Sequence, residues 1–317
     1  MRGRLPVVIV IIGLFVCAQG VRGQYDVQFS RYFETMGYYN PGVAGGTEDM
    51  NVTAAARVQW LGMEGAPMSF FGMTDRPIQF GGREHGVGVL LFTERIGLFQ
   101  NTHMAGQYAF KQKLFGGMLR IGLQAGLVSR SFDGAGVKIP DNEFFNPADD
   151  AIPKTAVSGM ALDMNAGLYY IRKRFYVGAA STHITAPEVL LNENAYVKVD
   201  RAFNFTSGYN IETANPLLEV RPSAFLKTDL QVWQAEATLR VFYNKMFNGG
   251  VSWRMNESVI LLLGGTFGRL QAGYAYDFPI SAVRLASSGS HELVVRYSLK
   301  IDKTKTGKNK HKSVRIL

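Results

Sequence analysis

Side chains that alternate apolar and polar, in segment after segment, constrain this chain more than any other feature. In Arg269–Phe278, Leu270, Ala272, Tyr274, Tyr276 and Phe278 share one face, and Arg269, Gln271, Gly273, Ala275 and Asp277 share the other. The same pattern runs through Asn51–Trp60, Leu119–Leu127, Gln231–Val241 and His291–Ile301. A period of two is the period of a β-strand, whose successive side chains point to opposite faces. About fourteen such segments are expected, with starts near Asn51, Met68, Gly86, Asn101, Met118, Gly159, Phe175, Arg201, Leu217, Gln231, Phe247, Ser258, Arg269 and His291. A spacing of roughly 20 residues suits membrane-crossing strands of 9–11 residues plus a connection.

Hydrophobic residues make up 47% of the chain and mean hydropathy is close to zero. An outer-membrane barrel averages out this way, because its apolar outer face and polar inner face cancel. Beyond the first twenty or so residues no apolar run approaches the ~20 residues of a membrane helix. Only helices and closed barrels satisfy every backbone polar group in lipid. The reading is therefore all-β: a transmembrane, antiparallel, up-and-down barrel over residues 50–301.

A soluble sandwich or solenoid is the rival, and the connections oppose it. With the strands numbered in order, even-to-odd links are short: Phe115-Gly116-Gly117, Arg172-Lys173-Arg174, Thr213–Pro216, Asn244-Lys245 and Phe267-Gly268. The longest, Phe132–Ser158, Thr185–Asp200 and Pro279–Ser290, are all odd-to-even. A barrel with short periplasmic turns and longer outer loops obeys this parity. The exception is Arg76–Arg83, a longer even-to-odd link containing Pro77, Gly81 and Gly82.

The ends differ from the body. Met1-Arg-Gly-Arg, the apolar run Leu5–Ala18 and the small residues Gly20 and Gly23 form the pattern of a secretory signal peptide, expected over 1–23. Cys17 is the only cysteine, and bulky Val16 before it departs from a lipidation motif. The mature chain then holds no disulfide and no cysteine-bound metal. The net charge of +9 is unevenly placed: residues 1–23 carry +3 and residues 302–317 carry +5, which leaves +1 between them. No nucleic-acid-binding body is implied. Residues 24–49, with Tyr25, Phe29, Tyr32, Phe33, Tyr38 and Tyr39, are expected to plug the lumen or pack on its periplasmic mouth. The basic tail over 302–317 reads first as a solvated extension. Both chain ends are expected in the periplasm.

Inward positions of both signs (Arg57, Arg120, Asp163, Arg221, Lys227, Glu236, Arg240, Arg269, Asp277, Glu292 and Arg296) suggest a lumen laced with ion pairs. No catalytic site assembles. Ser290, His291 and Glu292 are neighbours in a strand and point to opposite faces, whereas a nucleophile, base and orienter must converge. The histidines are scattered without metal-ligand spacing. Asp133, Asp141, Asp149 and Asp150 with Asn142 and Asn146 lie in one long loop without an EF-hand pattern. No catalytic, cofactor or metal residue is expected, and no enzyme.

Tyr38-Tyr39-Asn40-Pro41-Gly42-Val43-Ala44-Gly45 resembles the signature that opens the PorP/SprF family of Bacteroidetes outer-membrane proteins, of the type IX secretion system that also serves gliding motility. The family pattern is roughly YYNPAYAG, departed from at Gly42 and Val43. Arg57-x-Gln59-Trp60-x-Gly62-x-x-Gly65-Ala66-Pro67 is similar to a second block, and Glu94-Arg95-Ile96-Gly97 with Asn101-Thr102 to a third. Tyr276-Asp277 with Ser288-Gly289-Ser290-His291-Glu292 resembles the fourth. The blocks keep their order from Gln24 to about Ile301. The resemblance implies a barrel that serves secretion, associated with a periplasmic ring lipoprotein and its partner and with a peptidoglycan-binding lipoprotein. It leaves open a cargo-specific, SprF-like role toward a large adhesin, and composition leaves open a small-solute channel. On physical grounds the candidate partner contacts are Tyr38, Tyr39, Asn40 and Pro41, and in the tail Lys303, Lys305, Lys308, Lys310, Lys312 and Arg315.

Overall fold

The computed structural model describes residues 26–137, 153, 155–193 and 195–301. β1 (Met50–Val58), β2 (Met68–Phe80), β3 (Arg83–Ile96), β4 (Phe99–Leu114), β5 (Gly117–Asp133), β6 (Ala156–Arg172) and β7 (Phe175–Thr182) follow one another around a wall. A small hairpin, β8 (Glu188–Asn192) and β9 (Ala195–Lys198), forms its own sheet. The wall resumes with β10 (Ala202–Tyr209) and its stub β11 (Ile211–Glu212), then β12 (Leu218–Thr228), β13 (Trp233–Tyr243), β14 (Phe247–Arg254), β15 (Ser258–Phe267), β16 (Leu270–Pro279) and β17 (Ser290–Leu299). Each strand pairs antiparallel with its neighbours, and β1 closes on β17 from Met50↔Leu299 to Val58↔His291. The result is a closed antiparallel barrel of 14 strands. Closure leaves no strand edge unpaired, the condition for crossing lipid.

The fourteen starts read from the sequence each fall within three residues of a barrel strand. One feature of the wall differs. β2 continues through Pro77 to Phe80 and turns at Gly81-Gly82, so the Arg76–Arg83 link is strand, not loop, and the parity exception disappears. Both glycines take the left-handed φ that a tight hairpin needs. The tight even-to-odd turns mark one end of the barrel (the turn end), and the longer links mark the other (the loop end). At the loop end, 280–289 holds a 3-10 turn, Ala282–Leu285, and the β8–β9 hairpin packs Val189 against Val128 and Val199. Asp141, Asn142, Asn146, Asp149 and Asp150 lie outside the described residues.

The outer wall is apolar. Phe70, Val89, Met104, Leu123, Leu263 and Leu293 are all about half exposed there, as expected of a face that meets lipid. No helix among the described residues is long and apolar enough to cross a membrane.

The core lies inside the barrel. Residues 26–49 thread the lumen, with a one-turn helix, α1 (Met36–Tyr39), followed by a 3-10 turn, Pro41–Val43. Phe29, Tyr32, Tyr38 and Tyr39 are buried against the inner faces of Phe71, Phe92, Phe225 and Val294. Phe33 packs on Ile260, Leu262 and Ala275. β15 reads Val259-Ile260-Leu261-Leu262-Leu263 because lipid covers one face and the plug covers the other.

Candidate functional site: the plugged lumen

An irregular segment inside a barrel must find partners for its backbone away from water. The wall supplies them. Lys227 Nζ donates to Asp26 O at 2.6 Å, Arg296 Nη2 to Glu34 O at 2.6 Å and Gln107 Nε2 to Gly37 O at 2.7 Å. Lys111 Nζ donates to Gly45 O at 2.6 Å and Arg120 Nη2 to Gly46 O at 3.0 Å. Carboxylates take the plug's N–H groups: Ser30 and Arg31 donate to Glu292 at 2.7 and 2.8 Å, and Gly45 donates to Asp75 at 2.8 Å. The mixed inward charges are thus a socket for a peptide. Arg269 is the exception among them. It precedes β16, is exposed at the turn end, and does not line the socket.

The densest contact centres on Ser30. Its hydroxyl donates to Asp277 Oδ1 at 2.7 Å and accepts from Arg57 Nη1 at 2.8 Å and Arg254 Nη2 at 3.1 Å. Arg57 pairs with Asp277 at 2.7 Å and with Glu292 at 3.1 Å. Arg254 pairs with Glu236 at 2.9 Å, Glu257 at 2.9 Å and Asp277 at 3.3 Å. Arg57, Arg254, Glu236, Asp277 and Glu292 are all buried. Charges removed from water persist only when paired and hydrogen-bonded, and here two arginines sit among four acids whose remaining lone pairs are met partly by the plug. Gln28 Nε2, for example, donates to Glu236 at 2.8 Å.

A second polar cluster holds the plug's first described residue. Asp26 lies 3.4 Å from His183 Nε2, and His183 Nδ1 lies 2.9 Å from Asp163. Burial pushes the His183 imidazolium down in pKa, but Asp26 and Asp163 outweigh it and the ring is pushed up to about 10. Burial pushes the Asp26 carboxyl up, and His183, Lys227 and Arg130 together overcome this and hold it below the ordinary range. Beside the pair is a cavity of about 20 Å³ lined by Glu94, Asn101, His103 and Arg130, enough for a single water. Among the described residues no group of three metal-ligating side chains assembles.

Tyr38, Tyr39, Asn40 and Pro41 are all buried in this lumen. Tyr38 meets Phe92 at 4.8 Å between ring centroids and Tyr39 meets Phe225 at 4.7 Å. The Tyr39 hydroxyl accepts from Phe29 N at 2.8 Å, which folds the plug on itself. Asn40 Oδ1 caps the turn through Gly42 N at 2.8 Å, and its Nδ2 donates to Leu168 O at 3.0 Å. In this arrangement the motif faces the wall of the barrel. Lys303, Lys305, Lys308, Lys310, Lys312 and Arg315 lie outside the described residues, as do residues 1–23 with Cys17.

The first and last described stretches finish at different ends of the barrel. Asp26 begins beside His183, toward the loop end, while β17 finishes at the turn end opposite Met50. The expectation that both chain ends lie in the periplasm concerns residues outside the described ones. Sequence reading singled out the motifs but not their convergence. Arg57 of the second block meets Asp277 and Glu292 of the fourth in the loop half of the lumen, where Ser290 Oγ accepts from Trp60 N at 3.1 Å. Glu94 accepts from Ser69 at 3.0 Å and Asn101 at 3.4 Å. His291 faces outward to the Tyr274 hydroxyl at 2.7 Å, away from buried Glu292. Arg254 and Ser30, central to the network, lie outside all the blocks. The only signal for them was an arginine at an inward-parity position and a serine in the aromatic segment.

A closed, lipid-facing barrel with a peptide plug defines an outer-membrane β-barrel protein. The chain matches the family described as type IX secretion system membrane protein PorP/SprF over residues 21–297. It belongs to that family. No curated protein matches it. Among solved structures it is similar in fold to the CymD monoaromatic hydrocarbon channel (TM-score 0.50, 10% identity, 88% of this chain and 95% of that one). It also resembles the Ralstonia pickettii toluene transporter TbuX (TM-score 0.49, 11% identity, 85% and 94%) and the P. putida toluene transporter TodX (TM-score 0.46, 10% identity, 83% and 92%). At such identities the likeness is one of fold alone.

Proposed function

We propose that this barrel is a non-enzymatic outer-membrane component of the type IX secretion system that anchors periplasmic partners: a ring lipoprotein with its partner, and a peptidoglycan-binding lipoprotein. Family membership supports the system. The observation that carries the anchoring role is the filled lumen, since a wall whose inward charges are engaged by its own N-terminal segment is built to hold that segment rather than to pass a solute. Short turns at one end and longer links at the other support an orientation with the turn end in the periplasm. That orientation puts the tail after Ile301 in the periplasm, and its six cations then become available to those partners. Deletion of the gene should abolish export of the system's cargo proteins, read from the culture supernatant. Loss of a single large adhesin, with all other cargo exported, would instead indicate a cargo-specific partner. Normal export of every cargo would reject both readings.

A further inference from the structure

Exposed charge is sorted between the two ends of the barrel. At the loop end, exposed Glu64, Asp133, Glu188 and Glu193 accompany Arg95, Lys198, Arg201 and Arg284. At the turn end cations dominate, and they concentrate on three adjacent turns. Arg83 follows the β2–β3 turn, Lys113 precedes the β4–β5 turn, and Arg172, Lys173 and Arg174 form the β6–β7 turn; all are exposed. The turns are joined laterally. Arg83 Nη1 donates to Gln112 at 3.3 Å, and the Tyr170 hydroxyl donates to Phe115 O at 3.2 Å. Three acids lie nearby, and all are engaged: Glu84 pairs with Lys111, Glu212 with Arg174 and Glu219 with Arg221. Arg83, Lys113, Arg172 and Lys173 have no carboxylate partner among the described residues.

The same arc presents bare aromatic rings. Phe80 is 76% and Phe115 is 81% exposed, against 53% for Phe70 on the lipid-facing wall. Phe115 also has a φ of 49°, a backbone region that a bulky residue adopts at a cost. A strained turn tip that shows an aromatic ring to solvent amid unpaired cations has the composition of a protein interface, in which arginine and aromatic residues are enriched.

We propose that the arc formed by the β2–β3, β4–β5 and β6–β7 turns is a docking surface for the acidic face of a periplasmic protein. This rests on the turn end facing the periplasm, as the proposed function has it. The alternative occupant is phospholipid headgroups. The observations favour a protein, because Phe115 stands at a turn tip and Phe80 ends its strand beside one, both more exposed than Phe70 within the apolar wall.

The test uses the full chain with Lys113→Glu, Arg172→Glu and Lys173→Glu combined, and with Lys198→Glu at the loop end as control. Folding is checked by heat-dependent gel mobility. Binding of the detergent-solubilised barrel to the purified periplasmic ring proteins of the same system is measured at about 50 and about 300 mM salt. The triple variant should bind at least about tenfold more weakly at low salt and lose most of its salt dependence, while Lys198→Glu behaves as wild type. Unchanged affinity in a folded triple variant overturns the proposal. So does retained affinity with lost binding to phosphatidylglycerol-containing vesicles, which would assign the arc to lipid. If gene deletion blocks export but the triple variant restores it fully, only the docking surface fails; if deletion leaves export normal, the underlying reading fails.

Discussion

Arg57 shows how much of this protein's stability rests on single side chains in the lumen. Its guanidinium bridges Asp277, Glu292 and the Ser30 hydroxyl, all buried. Removing one partner of a buried pair leaves uncompensated charge, which costs about 3–5 kcal/mol. Arg57→Ala should therefore lower the denaturation midpoint of the folded barrel substantially, as urea titration in detergent would report. Ser30→Ala removes a neutral hydroxyl that three charged groups share, and its cost should be nearer the ~1–3 kcal/mol of an unsatisfied buried polar group. A Ser30→Ala loss as large as that of Arg57→Ala would mean that the plug, not the wall, bears the network. The inward parity of Arg57, Asp277 and Glu292 could be read from alternation. That they meet each other could not, since they stand on β1, β16 and β17, and only closure of the barrel brings β1 beside β17.

The plug's backbone fits because two wall glycines leave room for it where it passes. A Cβ added at Gly122 on β5 would lie 2.1 Å from Gly42 N, and one at Gly86 on β3 would lie 1.9 Å from Ala44 O. The Asn40–Gly45 motif thus packs backbone to backbone on the wall. Gly122→Val and Gly86→Val keep strand propensity and should dislodge the motif, which limited proteolysis within 26–49 would detect. Gly106→Val, where nothing lies within 4 Å, should leave proteolysis unchanged. Strand positions were legible because each wall strand has a lipid face of strict period two. The aromatic segment was legible only as an anomaly. It has no period, and on the sequence a plug and a mouth-packing segment look alike.

The plug packs into the hydrophobic clusters on the inner wall, so removing it should have two linked effects. Deletion of residues 26–46 leaves Glu236, Arg254, Asp277 and Glu292 facing an emptied lumen. The variant should conduct ions in planar bilayers where the intact protein conducts weakly, and its denaturation midpoint should fall. Equal conductance with and without the segment would mean that the lumen passes ions around the plug, and would favour the channel reading over the anchor.

Alternation, loop parity and the absence of a long apolar run were enough to determine a closed antiparallel barrel, its strand positions and which of its ends carries the long links. Each depends on local chemistry: the pleat sets the period, and lipid demands an apolar outer face. The ordered blocks brought the family within reach in the same way. Tertiary structure decided what fills the barrel and where the N-terminal residues go. An inward side chain looks the same whether it faces water, an ion pair or a peptide. Its partner is chosen by the closure that brings β1 against β17 and by a segment with no periodicity of its own.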